Sequence, residues 1–327
     1  MTAHGRIKPL AGEARELLLL LACIAAAALF AILAPNFATA DNLLTVLRNS
    51  SELLLVSLGI ALLLAMGSID VSVGMVMGLA AIAVGHALLA GWPPLLAALA
   101  GVLAGAVLGL VSAAVVVLGG VPAIVGTLGL LGVYRAAIFL ALGGSWLSGL
   151  PASLTDTLAV RPLGVPLSLI AIAGAYGLVW LALRRMPFGL HLLSIGNNEE
   201  RARLAGVPVR RTRFLTFVLS GVFCGLAAAF YVATYRNVAT TIGGALALEA
   251  IAAVVLGGTS VVGGSCSLLG TVLGVFLLRL VQNGLLLVGV PSLWQSVVTG
   301  GLLLAVLGIE AAQGRLAGTL SFARGRA

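Results

Sequence analysis

The chain has 327 residues, 61% hydrophobic and 9% charged, with a formal net charge of +8 and a mean hydropathy of +1.19. Soluble domains carry about 25% charged residues, so a water-soluble globule is excluded. Repeated apolar runs of about 18 or more residues point to membrane spans instead. The arginines gather at the ends of those runs rather than on a basic face interleaved with aromatics, so they anchor the chain in a bilayer and exclude a nucleic-acid partner.

Residues 1–16 are polar, with Arg6, Lys8 and Arg15, and Leu17–Leu33 then runs apolar. Ala38-Thr39-Ala40 resembles a small-x-small cleavage site, but the run is longer than a signal-peptide core and the chain beyond it is itself membranous, so it reads as a first span. Further spans are expected at Leu53–Ile69, Val73–Ala90, Pro94–Leu118, Pro122–Leu142 and Val165–Leu183. After a polar interruption come Phe214–Tyr235, Glu249–Val262, Leu268–Val288 and Ser292–Ile309. The expected fold is therefore an all-α integral membrane protein of about ten transmembrane helices. At ~1.5 Å per residue the shortest of these cannot cross ~30 Å alone, so they are predicted to be broken or re-entrant.

The interruption is Arg184–Arg213, which carries seven arginines and the adjacent Glu199 and Glu200. Like the N-terminal tail and the C-terminal tail with Arg315, Arg324 and Arg326, it is basic and is assigned to the cytoplasmic face. Six spans separate the first basic segment from the second and four the second from the third, even counts that agree. Within one permease domain, 1–327, this gives a first half at about 17–183, the loop 184–213, a second half 214–310 and a tail 311–327.

Displacing the sequence by 169 positions brings Gly74 onto Gly243, Ala81-Ile82-Ala83 onto Ala250-Ile251-Ala252, Gly101 and Gly105 onto Gly270 and Gly274, and Gly120-Val121-Pro122 onto Gly289-Val290-Pro291. That joins the third span to the eighth, an odd offset, so two halves of inverted topology are expected, a transporter pattern. Glycines every four positions, at Gly101, Gly105 and Gly109 and at Gly270 and Gly274, let backbones approach closely, within the bundle or between subunits.

No catalytic or metal-binding constellation is visible. There is no G-x-x-x-x-G-K-[ST]. His4, His86 and His191 share no ligand spacing, and Cys23, Cys224 and Cys266 lie in or beside apolar segments and read as packing residues. The glycine-rich Gly257–Gly270 contains no Lys or Arg and reads as a tight turn with close helix packing. Ionisable groups inside or at the ends of spans are Asp70, His86, Arg135, Glu249 and Arg279, with Asp70 and Glu249 expected to be solvated at span ends and Arg135 paired, near a cavity or snorkelling. In the loop, Asn197 followed by Glu200 fits a helix N-cap with a reciprocal side chain, Ala202, Leu204 and Ala205 continue the helix, and Gly206 and Pro208 end it. An isolated helix this short is marginal in water, so a docking partner is expected to hold it.

Glu200-Arg201-Ala202-x-x-x-Gly206 resembles the E-A-A-x-x-x-G coupling motif of permease subunits of bacterial ABC importers, with Arg201 in place of the middle Ala. Ser68–Gly74 is similar to the G-I-D-L-S-V-G segment of ribose-type sugar permeases, with Ser68 in place of Gly. Ala250–Gly264 is similar to their A-I-A-A-V-V-L-G-G-T-S-x-x-G-G, and Gly196–Glu200 to their G-x-N-x-E run. Val121–Pro151 most resembles the autoinducer-2 type and next the rhamnose type. The resemblance runs from about Leu53 to Leu307.

It implies a transport subunit rather than an enzyme, holding no cofactor and no metal, in the bacterial inner membrane with both termini cytoplasmic. Implied partners are cytoplasmic ABC ATPase subunits that hydrolyse the ATP, a periplasmic sugar-binding protein, a second permease copy or paralogue, and the lipid bilayer. The implied ATPase-coupling residues are Gly196, Asn198, Glu199, Glu200, Ala202, Leu204 and Gly206; Asp70 and Trp146 are candidates for the substrate pathway. Three alternatives stay open: a gradient-driven secondary transporter of small polar solutes, an ABC permease for branched-chain amino acids, and a membrane enzyme acting on lipid-linked sugars.

Overall fold

The computed structural model describes residues 9–291 and positions 294, 297, 298, 300, 301, 304 and 308. The described residues are helical, apart from turns and one isolated antiparallel bridge between Leu147 and Val238. In chain order the helices are α1 (Pro9–Leu33), α2 (Ala40–Ala65), α3 (Val73–Leu89), α4 (Pro94–Ala113, running on through a π turn to Leu118), α5 (Ala123–Leu142) and α6 (Ser153–Ala159). Then come α7 (Leu167–Arg185), α8 (Pro187–Asn197), α9 (Glu199–Leu204), α10 (Val209–Tyr235), α11 (Leu246–Leu256) and α12 (Leu268–Leu287). Among the described residues seven are long and apolar enough to cross a membrane: α1, α2, α4 with its π turn, α5, α7, α10 and α12. Two more are apolar but short. At 17 and 11 residues, α3 and α11 span only about 25 and 16 Å. The tenth expected span, Ser292–Ile309, and the tail arginines lie largely outside the described residues, as do Arg6 and Lys8.

Two boundaries differ from expectation in an informative way. The second span begins at Ala40 rather than Leu53, capped by Thr39, whose hydroxyl accepts from the Asn42 N–H. Its polar stretch Arg48-Asn49-Ser50-Ser51-Glu52 is helical because Ser50 and Ser51 turn their hydroxyls back onto the carbonyls of Val46 and Leu47, which satisfies them inside an apolar bundle. The seventh span begins at Val209 rather than Phe214, so Arg210, Arg211 and Arg213 ride on the first turns of α10.

The core is built around α2, buried at every residue from Ser50 to Ala65. It packs against α10 and α12, α10 packs against α4 and α3, and α1 lies against α12. Close approach is made by small residues, as the absence of a hydrophobic drive within a bilayer requires. Gly101, Gly105 and Gly109 of α4 lie directly on α10, where a Cβ on Gly105 would overlap the Gly221 carbonyl and one on Gly101 would come within 3.2 Å of the Gly225 carbonyl. Gly270 and Gly274 of α12 lie on Gly257 and Ala253 at and beyond the end of α11. Both glycine stripes are thus spent inside one chain. The base of α1 is pinned to the same region: Arg15 donates to the Val255 carbonyl at the C-terminal end of α11 (3.0 Å), and Glu16 accepts from Ser267 (2.6 Å).

Candidate functional site

The arginine-rich segment is not an open loop. α7 runs through Arg184 and Arg185, and Pro187 then starts α8, where its missing N–H costs nothing. α8 buries Leu192 and Ile195, and its Gly196 lies so close to the Ala65 carbonyl, the last of α2, that any side chain would overlap it. α9 follows with its first turn anchored at two points. The Asn198 side chain accepts from the Arg201 N–H (2.8 Å), and Glu199 accepts from Arg213 of α10 (2.8 Å). The N-cap is therefore Asn198 rather than Asn197; α8 extends through Asn197, whose amide donates back to the Leu193 carbonyl. The expected isolated helix is corrected too, because α9 is braced by α8 and α10. Ala202 is buried beneath it, Gly206 turns the chain at φ +82°, and the Val207 N–H closes onto the Ala202 carbonyl.

What α9 presents outward is Glu199, Glu200, Arg201, Arg203 and Leu204, with Gly206 exposed just beyond its end. Leu204 is 83% exposed, and it stands on a face whose other side chains are charged. An apolar knob ringed by charge on a braced short helix is suited to docking a soluble partner. The glycine-rich turn after α11 lies alongside: Gly264 donates to the Ala65 carbonyl (2.9 Å) and Gly263 sits on Gly196 and Gly67. α8 and the glycine-rich turn thus both contact the end of α2.

A second constellation lies toward the opposite face of the bundle. Arg279 of α12 pairs with Glu52 of α2 (3.2 Å) and Glu249 of α11 (3.4 Å), and Gln282 accepts from Arg279 (2.8 Å) while donating to Glu249 (3.2 Å). The group is largely buried, with Glu52 8% exposed. Glu249 sits in the first turn of α11, where the helix dipole favours negative charge. Glu52, Glu249 and Arg279 line a cavity of about 280 Å³ with Met77, Tyr231, Ala239 and the segment Thr241–Leu246. One turn further along α12, Asn283 exchanges two amide hydrogen bonds with Asn42 of α2 (2.9 and 3.0 Å) that fix α2 against α12. Glu52 escapes a reading that opens the span at Leu53; in the folded chain it is mid-helix.

The two pathway candidates lie apart. Asp70 is buried in the break between α2 and α3 rather than solvated, and accepts from both the N–H (2.8 Å) and the hydroxyl (2.6 Å) of Ser72, which caps the start of α3. The Val71 N–H donates to Thr127 in the first turns of α5 (3.3 Å). Trp146 lies beyond the far end of α5, about 30 Å away by helix length. It is exposed, on a segment that the Leu147–Val238 bridge holds beside the loop lining the cavity. Arg135, midway along α5, is exposed. Among the described residues no three His, Cys, Asp or Glu side chains come together to hold a metal.

Residues 42–307 match the family described as branched-chain amino acid transport system / permease component. The chain is 37% identical over 301 residues to the autoinducer 2 import system permease protein LsrC of Enterobacter sp. (strain 638), covering 90% of this chain and 86% of that one. It is 39% identical to the Klebsiella pneumoniae protein of the same name over the same shares. With the Yersinia pseudotuberculosis serotype O:1b protein, identity is 35% over 298 residues, 90% of this chain and 84% of the relative. No solved structure matches.

Proposed function

The chain belongs to the family of permease components of branched-chain amino acid transport systems, and from that premise we propose that it is the membrane subunit of an ATP-driven importer for autoinducer 2 or a closely similar small sugar-like molecule. The observation that carries the cargo is the 35–39% identity, spread over 90% of the chain, to import permeases named for autoinducer 2. Rhamnose and ribose are the next candidates, on the segments Val121–Pro151 and Ser68–Gly74. The chain itself hydrolyses nothing and holds no cofactor; ATP is hydrolysed by separate ABC ATPase subunits on the cytoplasmic side. A periplasmic sugar-binding protein delivers the cargo, and a second permease, identical or paralogous, completes the pathway. Both termini and the α8–α9 segment face the cytoplasm of a bacterial inner membrane, as their arginines require.

α9 is the coupling helix in this reading. ATP binding closes the ATPase pair, the movement reaches α9 through Glu199, Glu200 and Leu204, and α8 carries it to α2 through the Gly196 contact. Gly196, Asn198, Ala202 and Gly206 hold the geometry: a close contact, an N-cap, a buried foot and a left-handed stop. Asp70 and Trp146 remain proposed pathway residues near its inner and outer ends.

The two halves are inferred to be inverted repeats. In support, α2 and α10 begin 169 positions apart, at Ala40 and Val209. The π extension of α4 and the end of α12 fall at Leu118 and Leu287, the same displacement. α3 packs on α4 as α11 packs on α12.

One observation favours a second reading. Glu52 is the mid-helix carboxylate that a proton- or sodium-coupled carrier would use. Its pairing with Arg279 and the family membership weigh for the importer.

The test is a pull-down of the tagged full chain from its native membranes in mild detergent, with Leu204→Asp and Glu200→Arg beside it. An ATPase subunit recovered with wild type and lost with both variants supports the reading. A wild-type chain that recovers no ATPase, under conditions preserving other membrane complexes, overturns it.

A further inference from the structure

The cavity bounded by Glu52, Tyr231, Glu249 and Arg279 is open on one side and is lined by charged groups of an otherwise apolar bundle. Charged side chains at membrane depth are costly and mark pathways or paired networks, and a buried pair gives little net stability over apolar residues of the same shape. Here the pairing is also unbalanced, with two carboxylates meeting one guanidinium. We infer that this cavity is the point at which the permease touches its cargo in transit, and that it selects an uncharged polyhydroxylated molecule of monosaccharide size over anions and amino acids. The inference rests on the importer reading and adds the residues and the selectivity.

Size comes first. About 280 Å³ lies below the ~300–1,000 Å³ of pockets for drug-sized ligands, so the occupant is small. Charge comes next. Both terminal nitrogens of Arg279 are held, one by Glu52 and the other by Glu249 and Gln282. Three of its five N–H donors are thereby taken, and Nε is buried with no hydrogen-bond partner. A carboxylate or phosphate entering the cavity would meet two carboxylates against this one guanidinium, and like charge disfavours it. The spare capacity is on the acceptor side, because Glu52 engages Arg279 through Oε1 alone. Hydroxyl groups are the donors that match carboxylate oxygens. Tyr231 supplies an aromatic wall, its ring tilted at 43° against Tyr235 with 4.7 Å between ring centroids. Gly243 and Gly244 leave backbone within reach on the remaining side. A zwitterionic amino acid would satisfy the acidic side with its ammonium but would bring its own carboxylate against an acidic wall.

Thr241 lines the cavity and is exposed, so a Thr241→Cys chain can be labelled with a membrane-impermeant maleimide in native membranes, with its partners present. Autoinducer 2, L-rhamnose and D-ribose are added at increasing concentration, with L-leucine and ribose 5-phosphate as charged controls. The expected result is that at least one neutral sugar slows labelling and neither control does. Adding Glu52→Gln should raise the concentration for half-protection about tenfold, the size of one charge-assisted hydrogen bond. The inference is overturned if no neutral sugar protects, if leucine or the sugar phosphate protects equally well, or if Glu52→Gln leaves protection unchanged. The protection arm alone decides if the Glu52 variant does not fold. ATPase recovery from the same membranes is scored in parallel, so failure of the importer reading registers separately from failure of this one.

Discussion

Gly74 and Gly243, 169 positions apart, meet backbone to backbone: a Cβ on either would overlap the carbonyl oxygen of the other. They also coincide when the sequence is displaced by 169 positions, so if the halves are related as proposed, a two-fold axis would pass through this contact. Gly243 has φ +76° as well, and a side chain there is strained twice over.

Gly74→Ala is therefore expected to push the start of α3 away from the loop before α11, at about 1–3 kcal/mol for overpacking. Gly243→Ala should cost more, because left-handed backbone is added to the same clash. Thermal unfolding of the purified chains in detergent gives the order. A Gly74→Ala chain as stable as wild type would show that the two segments separate freely.

Arg279 is the one counter-charge shared by two carboxylates drawn from two other helices. Arg279→Met leaves both without a counter-charge and is expected to cost about 3–5 kcal/mol, the cost of breaking a buried pair from one side. Glu52→Gln keeps the Arg279–Glu249 pair and should be milder. Combined with Arg279→Met, it should recover part of the loss. Melting temperatures of the three variants test this; an Arg279→Met chain that melts with wild type would mean that the cluster is already hydrated enough to dispense with the pair.

Cys266, in the turn between α11 and α12, is half-buried, and burial pushes its thiol up to about 12. The thiolate is the reactive form, and at neutral pH its fraction is then about one part in 10⁵. Cys23 and Cys224 are buried within α1 and α10. The folded chain is accordingly expected to take up no maleimide until it is denatured, as intact-mass measurement would show. Rapid labelling of the native chain would mean that the turn opens.

Much of the architecture is legible because its signals are covalent. Proline at Pro94 and Pro187, glycine every fourth residue in α4, and arginine at the ends of apolar runs dictate backbone behaviour wherever they stand. The sequence cannot tell which surface a glycine stripe meets; that α4 meets α10 emerges only when the chain is packed. Tertiary contacts also overrule local polarity. Arg48–Glu52 reads as the end of a loop, yet is mid-helix because Ser50, Ser51 and Glu52 find partners inside the bundle. α8 was readable in part from Phe188, Leu192 and Ile195, which lie on one helical face, but flanking arginines mask so short an apolar stripe. Asn197 and Asn198 are chemically identical as caps, and only the length of α8 decides between them.

Right-side-out membrane vesicles distinguish transport driven by ATP through α9 from transport driven by an ion gradient. Uptake of autoinducer 2 is measured with ATP sealed inside and the periplasmic binding protein added outside, with and without a protonophore and a sodium ionophore. Uptake is expected to require internal ATP, to survive collapse of both gradients, and to be lost with Leu204→Asp while the chain remains folded in the membrane. Uptake that proceeds without ATP and stops with the ionophores would contradict ATP-driven transport and place the energy coupling at Glu52 instead.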